Sequence, residues 1–314
     1  MYYPYFRGKQ YELITVRESA SLLAGAGFVP IIEPVKESLA GLKRTLDAVN
    51  EADGAAILVV NPQYGDHIGN SEAIRALLNE QEDRHNIAAG ILLSDQVKVA
   101  DCFAMCDEYP GRAITLIHAG FTEARALVEH LGQQRVVDFR HIFLEDSCGK
   151  LYRKHFEGGN RVLLRDGFQR RVNKHHPDVE FFSDLHATYG EENMDGFGDF
   201  LIVGDVYSET GGPAYAIAIH LTFIDPDKDD EMHIYHFKSD RQDTPTDPAG
   251  KFVEALNKLV AEVERPGSHI TRTEAVEEFV DLHERRHFPG LGYVKKLSMK
   301  HHIETLDKYY NGQQ

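Results

Sequence analysis

Short apolar runs alternate through the first two-thirds of the chain with segments whose apolar residues recur every three or four positions. The run Tyr2–Phe6 is followed by a stripe from Leu13 to Leu23 and then by a second run, Phe28–Ile32. A connection of that length with helical spacing predicts a β-α-β unit with parallel strands. Six further runs follow the same rule: Ala55–Val60, Ile87–Leu93, Ala113–Ile117, Arg135–Leu144, Arg161–Leu164 and Phe200–Val203. The pattern predicts an α/β fold, a (β/α)8 TIM-barrel-like domain over residues 1–205, with an open α/β sheet as the alternative.

The pattern changes after residue 205. Apolar and polar residues alternate from Tyr215 to Phe223 and again from Met232 to Lys238, on either side of an acidic turn. Such alternation predicts an antiparallel β-hairpin, whereas weak helical spacing at Val179–Leu185 indicates a helix. Three C-terminal helices are predicted at about 249–263, 273–286 and 298–310. We expect residues 206–314 to form a hairpin and helical extension that packs on the barrel as one structural unit.

Net charge, cysteine content and the length of apolar segments limit the classes of function that fit the sequence. The 314 residues carry a formal charge of -16, which disfavours a general attraction to nucleic acid or to an anionic membrane. A local basic patch would still allow contact with nucleic acid. Three cysteines do not make a disulfide framework and indicate a reducing compartment. The N-terminus lacks the pattern of a signal peptide, and no apolar stretch approaches the ~20 residues that span a bilayer, so we expect a cytoplasmic protein.

Charged and polar residues follow the predicted strands at the points where the strands end. In a barrel these ends meet at one rim, where barrel enzymes place their active sites. Four rim residues are candidate catalytic groups: Glu33, Asp95, His118 and Asp166. Five more are candidates for substrate binding: Arg7, Lys9, Lys36, Asn61 and Arg165. Carboxylates there can hold a divalent metal or move protons, and the cations can bind phosphate; the alternative is that strand ends are polar because they meet water.

Glu33 is the strongest single candidate. It ends an apolar run and precedes Pro34, which fits a chain that leaves the sheet at this point. If the carboxylate binds a metal or moves a proton, Glu33→Gln should abolish function and leave the fold intact. The alternative is a buried ion pair with Arg7 or Lys36, in which case the same change should cost roughly 3–5 kcal/mol of stability.

The chain contains 17 histidines, which raises the question of a metal site. His283 and His287 have a spacing on a helix that can chelate zinc, but a third ligand is not evident and a solvated helix face is the alternative. His220 and His236 lie within the two alternating strands and are candidates for substrate binding at the barrel mouth. For these two, the alternative is that they are core histidines whose ring nitrogens are satisfied by the protein. The identity of any metal stays open.

The basic C-terminal segment and the absence of standard motifs complete the picture. Lysines and histidines interleaved with tyrosines from Tyr293 to Tyr310 predict either a docking patch or an amphipathic helix that packs on the barrel. The sequence contains no GxxxxGK[ST] phosphate loop and no GxSxG elbow, and GFGDFLIVG does not satisfy GxGxxG. The sequence motifs alone therefore do not identify a catalysed reaction.

Five phrases are spread along the chain: YPYFRGKQYEL, VPIIEPVK, GFGDFLIVGD, AIAIHLTF with IYHFKSD, and GLGYVKKLSMKHHIE. Together and in this order they resemble a family of uncharacterised bacterial proteins, usually encoded beside a nuclease-like partner and loosely related to the phage beta-protein family. The resemblance extends from Tyr2 to about Tyr310. It implies a bacterial source, a barrel-like fold and a role in a phage-defence or mobile-element locus, without assigning catalytic residues.

Two functions of different classes follow from the sequence. The mixed acidic and basic rim predicts a phosphodiester- or nucleotide-processing hydrolase, dependent on a divalent metal, with a small phosphorylated ligand. The alternative is a non-catalytic protein that senses a ligand or acts as a scaffold for a nuclease-like partner, as the resemblance implies. Convergence of Glu33, Asp95, His118 and Asp166 on one point would favour the hydrolase, because catalytic groups must reach one reacting atom.

Overall fold

The computed structural model describes residues 1–80, 86–209 and 215–312. The chain forms two compact units. The barrel unit consists of residues 1–165 and 188–199, and the second unit consists of residues 166–187 and the chain from residue 200 onward. Residues 166–187 were placed in the barrel by the sequence analysis, whereas the structure assigns them to the second unit.

The barrel unit is a closed ring of parallel strands, as the sequence predicts. The ring contains β1 (Tyr2–Phe6), β2 (Ile31–Ile32), β3 (Ala56–Val59), β4 (Ile87–Ser94), β5 (Ile114–Ala119), β6 (Arg140–Leu144), β7 (Asn160–Leu164) and β9 (Gly196–Asp199). Neighbouring strands in this order are hydrogen-bonded, and β9 pairs with both β7 and β1. The predicted α/β, (β/α)8 TIM-barrel-like fold is therefore confirmed.

Helices separate the barrel strands and bury their apolar faces. They are α1 (Gln10–Glu18), α2 (Ala20–Ala26), α3 (Ala40–Glu51), α4 (Glu72–Asn79), α5 (Val99–Asp107), α6 (Ala124–Asp138) and α7 (Lys150–Arg153), with α8 (Leu185–Thr188) before β9. The single stripe predicted from Leu13 to Leu23 is divided into α1 and α2 at Ser19. Gly27 ends α2 with a φ of 68°, a conformation that favours glycine.

The strand that closes the barrel lies four residues before the predicted one. The apolar run Phe200–Val203 was predicted as the eighth strand, but its residues form turns. The closing strand β9 is instead GFGD, whose Gly198 pairs with Tyr3. A Cβ at Gly198 would lie 2.2 Å from the carbonyl oxygen of Tyr3, so the strand requires glycine where it approaches β1. Glycines conceal a strand from a search for apolar runs.

A small antiparallel sheet lies in the second unit. Its order is β10 (Ala218–Asp225), β11 (Glu231–Lys238) and β8 (Val179–Ser183). The predicted hairpin is confirmed as β10 and β11, in which His220 is the direct partner of His236. The helix indicated at Val179–Leu185 is wrong, because this segment pairs with β11 as a strand.

Three helices pack in the second unit. They are α9 (Pro248–Glu264), α10 (Glu274–Glu284) and α11 (Leu291–Asn311). Two of them, α9 and α11, pack against the hairpin, and the third, α10, packs against those two helices. Gly290, with a φ of 93°, precedes α11, which begins seven residues before the predicted start at 298. His301 and His302 on α11 are fully buried and bond to Thr222 of β10. Of the two alternatives for the basic C-terminal segment, a packed amphipathic helix rather than a docking patch accounts for these two buried histidines.

The free cysteines and the helix lengths bear on location. Cys102, Cys106 and Cys148 are buried thiols without disulfide bonds. Within the described ranges, no helix combines the length and the apolar character needed to cross a bilayer.

We predict that Gly198→Ala destabilises the barrel unit. The added methyl group would collide with the Tyr3 carbonyl and separate β9 from β1, at a cost of about 3 kcal/mol. Gly149→Ala is the matched control, because a Cβ there meets no atom within 4 Å and the φ is -64°. Denaturant titration should show a large loss of unfolding free energy for the first variant and a change within about 0.5 kcal/mol for the second. Equal stability of both variants would contradict the role of Gly198 in closure.

Candidate metal centre

Glu33 and Arg7 form a buried ion pair at the ends of β1 and β2. Glu33 is fully buried, and its Oε2 accepts hydrogen bonds from the Arg7 guanidinium and from the Tyr5 hydroxyl at 2.9 Å. Its Oε1 accepts the backbone N–H of Gln63 at 2.7 Å. The Arg7 guanidinium also lies over the Tyr64 ring, 4.7 Å from the centroid. The carboxylate is therefore fully engaged in bonds that hold the barrel strands and their loops.

His118 lies in a closed chain of hydrogen bonds inside the barrel. The Nε2 of His141 donates to the carbonyl of Val136 at 2.9 Å, so its Nδ1 is left as an acceptor for the Nε2–H of His118. The His118 Nδ1 then accepts the Tyr152 hydroxyl at 2.7 Å. Burial, followed by the nearby His141, holds the pKa of His118 well below its usual range. Both nitrogens of His118 are thus used by the protein itself.

The other candidates on the barrel unit have separate surroundings. Arg165 forms a two-bond pair with Glu145, at 2.5 and 3.1 Å. The Asn61 side chain exchanges two hydrogen bonds of 2.8 Å with the backbone of Leu92 and so continues the strand pairing. The remaining three lie nearer the surface: Lys9 is half-buried, and Lys36 and Asp95 are exposed.

The three candidate catalytic residues of the barrel unit are not gathered into one network. Among residues 1–80 and 86–165, no hydrogen bond or ion pair joins Glu33, Asp95 and His118 to one another. Asp166 belongs to the second unit, where its carboxylate accepts the backbone N–H groups of Phe168 and Asp205 at 2.9 and 2.7 Å. Their catalytic roles stay predictions, and the rim geometry favours structural bonds.

A different group of side chains, His176, His220 and His236, comes together in the second unit and is called the histidine cluster below. His220 and His236 are cross-strand partners on β10 and β11, so their side chains share one face of the sheet. His176 arrives from the loop that leads into β8. One ligand nitrogen from each residue lies within 4.8 Å of the others. At this separation the three imidazoles could be brought around a single metal ion.

The rings pack closely and are shielded on one side. The Nδ1 atoms of His220 and His236 are 2.7 Å apart, and the His176 ring centroid is 4.3 Å from that of His236. Phe168 contacts the His176 and His220 rings edge-on or tilted, with centroids 5.6 and 5.1 Å away. A zinc ion with bonds of 2.0–2.1 Å needs its nitrogens about 3.3 Å apart, so a small rotation of two rings would admit it.

Glu180 fixes the orientation of His236. Its Oε1 accepts the Nε2–H of His236 at 2.9 Å and is held by the Arg171 guanidinium at 2.5 Å. With the proton on Nε2, the lone pair of neutral His236 lies on Nδ1 and points at the cluster. A carboxylate behind a ligating histidine is the usual arrangement at protein zinc sites, because it fixes the tautomer and raises the basicity of the ligand.

Burial keeps the three imidazoles uncharged. It lowers the pKa of His236 to about 4, with a further contribution from His176. It also holds the pKa of His220 well below its usual range, with His236 the next cause, and lowers that of His176. Metal ligation requires the neutral imidazole, which is the form of all three at neutral pH, and ligation through both facing Nδ1 atoms would also displace the proton that His220 donates to His236 across 2.7 Å.

His176 supplies the clearest sign of a missing partner. Its Nδ1 is buried and makes no hydrogen bond, and the nearest acceptor, Glu180 Oε1, is 3.7 Å away. A buried nitrogen without a partner costs about 1–3 kcal/mol and needs an explanation. Ligation of a metal by the cluster would satisfy it.

A second group with ligand-like spacing is weaker. Asp225, Asp227 and His269 also have potential ligand atoms within 4.8 Å of one another. However, Asp225 Oδ1 already accepts the backbone N–H of Asp227 and contacts His269 Nδ1 at 2.9 Å. Asp227 is exposed, so these bonds explain the group as a turn between β10 and β11.

Sequence reasoning found two members of the cluster and missed two. His220 and His236 were selected as binding residues because they interrupt alternating strands. His176 was not selected as a candidate, and Glu180 was not selected because β8 was taken for a helix. The spacing His176-x-x-x-Glu180 was the available signal, and it acquires meaning only when the segment pairs with β11.

The structure changes the expectation for Glu33→Gln. Because Glu33 is fully buried against Arg7, loss of its charge leaves a buried guanidinium without its counter-charge, and we expect roughly 3–5 kcal/mol of destabilisation. The exposed Glu37→Gln, four residues away, is the control and should melt like the wild type. Thermal melting of both variants tests this. An unchanged melting temperature for Glu33→Gln would restore a functional role for this carboxylate.

The comparisons with known proteins add no family. No family model matches the chain, and no curated protein matches it. The resemblance to bacterial proteins encoded beside a nuclease-like partner therefore stays a prediction, and the interpretation of the histidine cluster rests on its geometry.

Proposed function

We propose that this protein binds one divalent transition-metal ion, zinc in the first instance, at the histidine cluster and uses it to hydrolyse a phosphoester. The observation that carries the proposal is the convergence of three neutral imidazoles, two buried and His220 half-buried, with Glu180 oriented behind one of them. Imidazole suits zinc better than it suits magnesium or calcium, which prefer oxygen ligands. The cluster thus supplies a metal site that the predicted rim does not.

The number of ligands supports a catalytic rather than a structural site. Structural zinc sites are closed by four protein ligands, whereas catalytic sites have three and leave one position for water or substrate. Within the described residues, the cluster has three histidines, and Glu180 is engaged by His236 and Arg171. A zinc ion bound in this way lowers the pKa of a bound water towards 7.

Cations around the cluster favour an anionic substrate. Arg171 and Lys238 lie close enough to lower the pKa of His176, and Lys295 contributes in the same direction at His220. Arg171 is paired with Glu180, and Lys238 is paired with Asp178 at 3.0 Å and donates to the backbone carbonyl of His176. The positive charge that these pairs leave near the cluster would attract a phosphate group. This agrees with the phosphodiester-processing activity predicted from the sequence.

We predict one equivalent of bound zinc in the wild type and a loss of more than about 100-fold in zinc affinity for His236→Ala. Glu180→Gln should weaken binding by about 10–100-fold, because it removes the carboxylate that orients His236. The matched control is His175→Ala, which changes the exposed neighbour of His176. Metal analysis and competition with a chromogenic chelator measure affinity. Hydrolysis of bis(p-nitrophenyl) phosphate should disappear in His236→Ala and persist in His175→Ala, and equal zinc affinity in both would refute the site.

We also predict that zinc affinity changes little with pH between 7.5 and 6.0. Three ordinary histidines with a pKa near 6.5 would lose about 50-fold over this range, because protons compete with the metal. Here burial lowers the pKa of all three, that of His236 to about 4, so protons compete less with the metal than at ordinary histidines over this range. We expect a change below about 5-fold by competition titration. A loss of tens of fold would show that the ligands are exposed histidines elsewhere.

The second candidate is a non-catalytic partner of a nuclease-like protein in a bacterial phage-defence or mobile-element locus. The observation that favours it is the internal pairing of rim charges, Arg7 with Glu33 and Arg165 with Glu145. Under this alternative, the metal at the histidine cluster would be structural. In either case we infer a cytoplasmic protein, because its three cysteines are reduced.

Co-purification separates the two candidates. The full chain should be expressed with its genomic neighbour, isolated as a complex and assayed for hydrolysis alone and together. Activity of the isolated chain that depends on His236 supports the hydrolase. A stable complex in which the isolated chain binds zinc but hydrolyses no phosphoester would support the non-catalytic alternative instead.

A further inference from the structure

A cationic pocket lies on the barrel unit, apart from the rim and from the histidine cluster. Its volume is about 120 Å³, and its lining residues precede β7 or β9 in the chain, except Arg161, which is the second residue of β7. Four of its side chains are cationic and three are acidic: Lys150, Arg153, Lys154 and Arg161, with Glu157, Glu191 and Glu192. The pocket therefore lies at the amino ends of these strands, the opposite end from the predicted rim.

Two arginines in the pocket hold donors that the protein does not use. Arg153 is 4% exposed, and its Nε and one terminal nitrogen are buried without a hydrogen-bond partner. The Nε of Arg161 is also buried without a partner. Each guanidinium also makes a hydrogen bond through a terminal nitrogen. Arg153 donates to Glu192 at 3.3 Å, and Arg161 donates to the Asn193 carbonyl at 2.7 Å. Three unpaired guanidinium donors in one pocket call for an acceptor.

The acidic residues do not fill that role. Glu192 is shared, because it also contacts Lys150 at 3.1 Å, and Glu157 and Glu191 are exposed side chains at the mouth. Each carboxylate can remain in water, whereas the Arg153 guanidinium and the Nε of the half-buried Arg161 cannot. The interior of the pocket is therefore more cationic than its total of charges indicates.

We propose that this pocket binds a small oxyanion, a phosphate or a phosphomonoester group. A guanidinium presents its N–H groups in a planar fork that matches two oxygens of a phosphate, and the exposed Lys150 and Lys154 add charge at the mouth. The volume is below the roughly 300 Å³ at which drug-sized ligand sites begin, so it suits a single phosphate group rather than a whole nucleotide. The site does not depend on the metal proposal.

Calorimetric titration of the full chain with inorganic phosphate tests the proposal, with sodium chloride at matched ionic strength as the reference and succinate as the carboxylate comparator. The wild type should bind one phosphate with a submillimolar Kd, and Arg153→Gln should lose at least 30-fold in affinity. Lys154→Gln, an exposed change that spares the fold, should lose about 3–10-fold. Lys174→Gln, an exposed lysine of the second unit, should bind like the wild type. Tighter binding of succinate than of phosphate would reject the phosphate assignment.

The metal-site variant supplies the decisive control. His236→Ala should retain phosphate binding, because the histidine cluster and the pocket share no residue. If His236→Ala abolishes binding while Lys154→Gln leaves it unchanged, the phosphate lies at the histidine cluster and the pocket proposal fails. Heat no greater than that of sodium chloride would show that water alone satisfies the two arginines, which also overturns it.

Discussion

Closure of the barrel depends on the approach of β9 to β1, because a parallel sheet buried on both faces has no tolerated free edge. Gly198 allows the backbones to meet at Tyr3, and the Tyr2 hydroxyl donates to Asp199 at 2.7 Å across the same junction. The pairing of β9 with β1 turns the row of parallel strands into a closed ring. The Arg7–Glu33 ion pair reinforces the neighbouring pair of strands, which explains why a charged couple is kept in so apolar a place.

Burial of imidazole has two different outcomes in this protein. Both ring nitrogens of His118, His141 and His301 form hydrogen bonds to the protein. These buried side chains are therefore neutral and held in one orientation by their bonds. In the histidine cluster, desolvation produces the same neutral form but leaves one nitrogen of His176 without an acceptor or donor. The distinction between a core histidine and a ligand therefore rests on satisfied nitrogens, which only coordinates reveal.

The barrel could be predicted from the sequence because strands that are buried on both faces consist of continuous runs of apolar residues, such as Ala56–Val59. The prediction failed at β9 and β8 for opposite physical reasons. The closing strand β9 has glycine at every second position, where another backbone approaches, so it lacks an apolar run. Strand β8 lies at a sheet edge and exposes Val179 and Phe181, so it lacks the alternation of a half-buried strand. His220 and His236 were accessible to pattern reasoning because two-residue periodicity places both on one face. His176 and Glu180 come from a distant segment, and no local pattern reports a pairing across more than fifty residues.

The insertion of residues 166–187 between β7 and β9 has a consequence for how this protein can be divided. A fragment that ends at residue 205 would contain every barrel strand but would carry β8, His176 and Glu180 away from the hairpin that completes their sheet. The complementary fragment would have two of the three histidines and an unpaired edge on β11. Neither piece contains the complete three-stranded sheet, so gene fusion or recombination at that boundary would separate the three members of the histidine cluster.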